Sequence, residues 1–201
     1  MIVHNFVEMA AFTLICVSAY LRPCEAMGFR RRCLVAPAPG VSQTWSLLVC
    51  PGEYLVATKT GDTDDSIAMD STWLQWLAPI LSILAEGGKD KCVWSFDYPA
   101  YVREFRSALA RLRVTGVVPY MMRHSGPSID RSRGWRSQDE VQKRGRWKSH
   151  RSLTRYEKHA RLGHTMLSYT AEQQAHFIDC EAHIADIVLG RKHPVVANIR
   201  G

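Results

Sequence analysis

The sequence predicts a mainly helical α+β fold with one small antiparallel three-stranded sheet. Three observations predict it. Most of the chain carries apolar residues at helical spacing. One stretch, Trp45 to Met69, instead runs in short apolar segments separated by Pro51-Gly52 and Gly61-Asp62, dipeptides that favour tight turns. With 201 residues, 46% of them apolar and 22% charged, the chain is long and apolar enough for one domain with a modest tail, and disorder is not the default.

The elements follow in chain order. Residues 2–20 read as a helix, with Val3, Phe6, Val7, Ala10, Leu14 and Val17 on one stripe. Arg22-Pro23 ends or kinks it, because proline offers no amide proton to the preceding turn, and Glu25 to Phe29 starts a second short helix. Arg30 to Gln43 reads as a loop broken by Pro37, Pro39 and Gly40. Trp45–Val49, Tyr54–Thr58 and Asp65–Met69 read as the three strands, with Lys59 at a strand end. Ser71 to Ala85 is an amphipathic helix interrupted by Pro79. Gly87-Gly88 is a loop and Val93 to Phe96 a short apolar run. Pro99 to Arg113 is a helix with Val102, Phe105, Ala108, Leu109 and Leu112 on one face and arginines on the other. Val118 to Arg123 opens another helix and Gln138 to Arg144 a further one. Ala171 to Leu189 is the last, with Ala175, Ile178, Ala182, Ile184, Ala185 and Val188 facing inward. No internal repeat or low-complexity segment is visible.

Charge is unevenly placed. The formal net charge is +7, yet Arg103 to Arg161 holds 16 lysines and arginines against 5 acidic residues, and the rest of the chain 10 against 14. A basic segment of this kind suits a polyanion, most often nucleic acid, or is simply a solvated face. Cysteines at 16, 24, 33, 50, 92 and 180 form no CxxC pair, which argues against a zinc finger. Cys180 and His183 stand three apart with no second ligand pair. Scattered cysteines suit a reducing compartment, where free thiols behave as small hydrophobes. The most apolar run, Met9 to Tyr20, is shorter than the about 20 residues a spanning helix needs, and Glu8 and His4 precede it where a signal peptide would carry positive charge. No membrane association is expected.

One constellation carries chemistry: Arg22-Pro-Cys-Glu25, Thr58-Lys59-Thr60-Gly61, Tyr120-Met-Met-Arg123-His124-Ser125-Gly126, and Gly145-Arg146-Trp147-Lys148-Ser149 followed by Arg155-Tyr156. Metal-free cleavage of a DNA strand needs a nucleophile, cationic donors for the non-bridging phosphate oxygens, and an acid for the departing 5′-oxygen. Tyrosine can attack covalently. Arginine grips phosphate bidentately and stays charged. Lysine can supply the proton. In kind and order, from about residue 5 to about residue 165, these boxes resemble those of the tyrosine recombinases, or phage integrases, which share their catalytic fold with type IB topoisomerases. The spacing of Trp147 and Tyr156, nine residues apart after a glycine-containing turn, is the most specific element of the resemblance.

The resemblance implies a tyrosine-recombinase catalytic domain over residues 1–165, with a C-terminal helix and tail over 166–201. It implies that Arg22, Arg123 and Trp147 hold the scissile phosphate, Lys59 protonates the leaving group and Tyr156 is the nucleophile. Glu25, Tyr120 and His124 would support them. Tyr120 stands where the family carries a histidine, which leaves the removal of the nucleophile's proton without its usual base, since a phenol near pKa 10 is a poor one. Arg131, Arg133, Arg136, Lys143, Arg144, Arg146, Lys148 and Arg151 would touch the DNA backbone, positioning without reading sequence. No metal or nucleotide cofactor is implied. The partner would be double-stranded DNA, with a homo-oligomer, a tetramer on two sites, as the working assembly. The setting would be intracellular: the nucleus in a eukaryote, otherwise the cytoplasm. The family's N-terminal clamp domain is expected to be absent, which fits a fragment, a decayed mobile-element copy or a partial gene model. Alternatives stand beside this reading: a DNA-binding remnant that no longer cleaves, a topoisomerase-like relaxer without a defined site, and an unrelated basic interaction protein.

Overall fold

A computed structural model describes residues 2–49, 65–149, 153, 156 and 159–192. The chain divides into two compact units, Met1–Asp97 and Tyr98–Gly201. Helices dominate, with one small three-stranded antiparallel sheet in the first unit.

The first unit starts with α1 (Ile2–Ser18) and α2 (Pro23–Met27). The buried face of α1 is Ala11, Phe12, Leu14, Ile15 and Cys16, continued by Ala19, Tyr20 and Leu21, whereas Phe6 is 46% exposed. The stripe read from the sequence is therefore rotated from the observed one. Between Ala10 and Ala19 the helix is apolar nearly all round, so periodicity alone does not select the face. What selects it is the segment Val93–Phe96. Trp94 and Phe96 pack edge-on against Phe12, with ring centroids 5.2 and 5.8 Å away. The Trp94 indole also donates to the Ala26 carbonyl at 2.7 Å. The Glu8 carboxylate accepts from both the amide and the hydroxyl of Ser95. Burial pushes the Cys16 thiol well up from its ordinary range, and among the described residues every cysteine is free.

The sheet has the order β1 (Leu34–Val35), β2 (Ser46–Val49), β3 (Asp65–Ala68), with Leu34 opposite Leu47 and Leu47 opposite Ile67. Leu47, Val49 and Ile67 point inward from alternating positions, the period-2 pattern of a half-buried sheet. Two of its strands were legible. The third, β1, comes from the stretch that reads as a loop. It is only two residues long, too short for any alternation to register, and a 3₁₀ turn over Arg31–Cys33 leads into it. The expected strand Tyr54–Thr58 lies outside the described residues. Ser71 to Ala85 is divided as Pro79 suggests: a 3₁₀ stretch over Thr72–Leu77, then α3 (Ala78–Ala85) with the proline in its first turn, where a missing amide proton costs nothing.

The second unit opens with α4 (Tyr98–Arg111). Its buried residue is Tyr101, whose hydroxyl points to the Met122 sulfur at 3.4 Å. Val102, Phe105, Leu109 and Leu112 are only half-buried and Ala108 is exposed, a correction to the expected apolar face. A 3₁₀ turn over Pro119–Met121 leads into α5 (Met122–Ser132), and α6 (Gln138–Gly145) follows. Ser137 and Glu140 close a reciprocal capping box on α6. Between these helices the buried Asp130 carboxylate holds Arg136 at 3.0 Å.

A helix absent from the sequence reading, α7 (His159–Leu167), follows Tyr156. The last predicted helix is two, α8 (Ala171–Ala182) and α9 (Ile184–Val188), parted where His183 leaves helical geometry. The expected inward positions Ala175, Ile178 and Ala182 are exposed. The anchor of α8 is polar instead: Gln173, 5% exposed, donates to the Leu112 carbonyl at 2.7 Å. A hydrophobic pattern could not reveal it. Among the described residues no helix is long and apolar enough to cross a membrane.

Candidate active site

The second unit gathers side chains from three separated segments: Arg123 and His124 on α5, Trp147 just past α6, and Tyr156. Adjacent residues on a helix point about 100° apart, so Arg123 and His124 serve different neighbours. Arg123 is 1% exposed. Its Nη2 donates to the Gly145 carbonyl at 2.7 Å. Its guanidinium carbon lies 5.0 Å from the centre of the Trp147 ring, inside the range where a cation is drawn to an aromatic face. His124 turns toward Tyr156: its Nδ1 is 2.6 Å from the phenolic oxygen, and the two rings stack with centroids 5.9 Å apart. With the imidazole proton on Nε2, the phenol donates to Nδ1. Trp147 also lies against Tyr156, with ring centroids 5.3 Å apart.

The end of α6 explains how Trp147 reaches this place. Arg146 adopts the left-handed conformation, with φ 56° and ψ 40°, at a strain of about 1 kcal/mol for a residue with a Cβ. The Arg146 amide then bonds to the Lys143 carbonyl and the Trp147 amide to that of Gln142, which satisfies the last carbonyls of the helix. The Gln142 side chain returns a bond to the Trp147 carbonyl at 3.0 Å. Gly145 does a different job from the one a glycine in a turn suggests. A Cβ there would stand 1.8 Å from the Trp147 ring, so only glycine lets the indole lie on the backbone. Tyr156 is 4% exposed, and its amide bonds to the carbonyl of the buried Leu153 at 2.8 Å.

Tyr120 is 48% exposed and meets His124 edge-on, with centroids 5.2 Å apart. Arg22 belongs to the first unit. Its Nη1 pairs with the Glu25 carboxylate at 2.6 Å, and its backbone amide donates to the same carboxylate at 2.7 Å. Lys59 and Arg151 lie outside the described residues. Arg131 donates to the Arg136 carbonyl at 3.1 Å. Arg133 pairs with Glu181 and stacks on Trp135 at 4.8 Å. Arg144 and Arg146 are half-buried, while Lys143 and Lys148 are exposed. Several of the expected DNA-contacting arginines thus have partners within their own unit. Among the described residues no group of His, Cys, Asp and Glu side chains gathers as a metal site.

The sequence ranked His124 as a supporting residue and did not single out Gly145 as a packing requirement or Gln142 at all. The contact of His124 with Tyr156 spans 32 positions and needs the path of the chain to be known; its one local signal was the position next to Arg123. No family model matches this chain, and no curated protein and no solved structure is similar enough to count as a match.

Proposed function

We propose that the chain is the catalytic half of a tyrosine-type DNA recombinase, cleaving and rejoining DNA strands through a 3′-phosphotyrosyl intermediate. The observation that carries this reading is the convergence on Tyr156: His124 at hydrogen-bond distance from its oxygen, Trp147 against its ring, and Arg123 on the far side of the chain of contacts through Trp147. Those groups come from two sequence boxes, one holding Arg123 and His124 and the other Trp147 and Tyr156, and are the donor, cation and nucleophile types that phosphoryl transfer without a metal requires. In this mechanism Tyr156 Oη attacks the scissile phosphorus. Arg123 and the indole N–H of Trp147 stabilise the charge that builds on the non-bridging oxygens; the resemblance adds Arg22 as a further donor and Lys59 as the acid for the departing 5′-oxygen. The 5′-hydroxyl of another strand then reverses the step. The partner is double-stranded DNA, a tetramer on two sites is the working assembly, and a mobile element is the origin.

The test is a suicide substrate: a pool of nicked or phosphorothiolate-bearing duplexes incubated with wild type and with Tyr156→Phe. Wild type should form a covalent protein–DNA adduct on a denaturing gel, and Tyr156→Phe should bind DNA but form none. An adduct that persists in Tyr156→Phe removes Tyr156 from the mechanism.

A second reading, a DNA-binding remnant that no longer cleaves, is favoured by one observation. Arg123 is 1% exposed and already donates to the Gly145 carbonyl, so gripping a phosphate would require it to exchange a partner. This reading predicts salt-dependent DNA binding with no adduct from wild type.

A further inference from the structure

Resting on the recombinase reading, we infer that His124 is the general base that takes the proton from Tyr156. In the box Tyr120-Met-Met-Arg123-His124 the place where the resembled family keeps a histidine is held by Tyr120, and a phenol cannot serve as a base near neutral pH. Arginine cannot either, because the guanidinium has no acceptor lone pair and does not deprotonate. The imidazole four residues beyond Tyr120 can. Its Nδ1 lies 2.6 Å from the Tyr156 oxygen, within the about 2.6–3.2 Å reach that a general base needs. Its ring is fixed by stacking on Tyr156 and by the edge contact with Tyr120. The Ser128 hydroxyl bonds the His124 carbonyl at 2.9 Å, fixing the backbone below it.

The step balances. As Tyr156 Oη bonds to phosphorus, its proton moves to His124 Nδ1 and the imidazole becomes imidazolium. The bond from phosphorus to the 5′-oxygen breaks, and that oxygen takes its proton from a general acid. On rejoining, the attacking 5′-hydroxyl returns its proton to the conjugate base of that acid, and the imidazolium protonates the departing Tyr156 oxygen. Among the described residues, the Tyr156 phenol and, edge-on, the Tyr120 phenol lie against the imidazole. The charged neighbour on its own helix, Arg123, is directed to Gly145 and Trp147. Tyr120 lies in the 3₁₀ turn over Pro119–Met121 and His124 in the first turn of α5, so the base stands four residues later in the chain.

Adduct formation on the nicked duplex pool should be followed in single turnover across about pH 5 to 8, the range in which histidine titrates. His124→Ala, His124→Gln and His124→Ala with added imidazole are compared with wild type. The wild-type rate should fall on acidification as the imidazole takes its proton. His124→Ala should be slower by roughly 10²–10⁴-fold and lose that acid limb. Imidazole in solution should restore part of the rate. DNA binding and the thermal midpoint check that the variants are folded. If either His124 variant keeps the wild-type rate and profile, or slows with the acid limb intact and no rescue, the base assignment is wrong while the recombinase reading stands. If wild type binds the duplexes and forms no adduct at any pH, the recombinase reading fails and the base assignment with it.

Discussion

Two arginines that the sequence offered for the same task have opposite surroundings. Arg22 holds a carboxylate three residues away, with a quarter of its side chain exposed. Arg123 is buried at 1% exposure, and its partners come from more than twenty positions along the chain. The first contact is local and would form in almost any fold containing that helix turn. The second exists only because α5, the end of α6 and Tyr156 have been brought together. Pattern alone identifies both residues as candidates, yet the second is buried among contacts from distant parts of the chain. The two should therefore separate sharply under mutation.

The largest effect is expected at the buried arginine. Arg123→Ala removes a charged donor from the Gly145 carbonyl and the cation from the face of Trp147, leaving a buried carbonyl short of a partner. Unfolding stability should fall by about 3 kcal/mol, read as a lower urea midpoint at unchanged slope. Arg123→Lys should recover little, since a lysine lacks the planar fork that bonds the carbonyl while lying on the indole. A loss below about 1 kcal/mol for Arg123→Ala would mean that the Gly145 carbonyl finds another donor and that Arg123 is poised for an external anion, which would favour the catalytic reading over the remnant.

Next in size is Gly145→Ala. A methyl group would stand 1.8 Å from the Trp147 ring, so the indole must move. Overpacking of this kind costs about 1–3 kcal/mol, and moving Trp147 uncovers one side of Tyr156. The tryptophan emission of the variant should shift, and its adduct rate should fall further than its stability alone would require. An unchanged spectrum would show that Trp147 is not held as described.

This contrast also marks how far the sequence could be read. The mainly helical α+β class, strands β2 and β3, the helix ending near Gly145 and the nine-residue spacing of Trp147 and Tyr156 were all legible, because each depends on local period or turn chemistry. Strand β1, the buried face of α1 and the break at His183 were not. A two-residue strand has no period, an almost uniformly apolar helix has no distinguishable face, and the inward residue of α8 is a glutamine. In the candidate site the residue types were legible, but not the pairings. That His124 rather than Tyr120 meets the Tyr156 oxygen follows from how α5 is rotated against the segment carrying Tyr156. The packing of the whole unit sets that rotation.

The smallest effect is expected at the local pair, and it is the most useful for separating structure from chemistry. The Glu25 carboxylate accepts from both the Arg22 side chain and the Arg22 amide. Arg22→Ala loses the partly exposed ion pair, about 0.5 kcal/mol, while the amide bond to Glu25 remains. Glu25→Ala loses both and uncaps the first turn of α2, about 1–2 kcal/mol. Stability should therefore rank Arg22→Ala as the milder change. Adduct formation should rank the two the other way if Arg22 also clamps the phosphate, since removing one such donor costs about 2–4 kcal/mol of transition-state stabilisation. Thermal melts and adduct rates on the same two variants decide it. If Arg22→Ala is mild in both measurements, Arg22 is an ordinary helix-start ion pair and the phosphate must be held from the second unit alone.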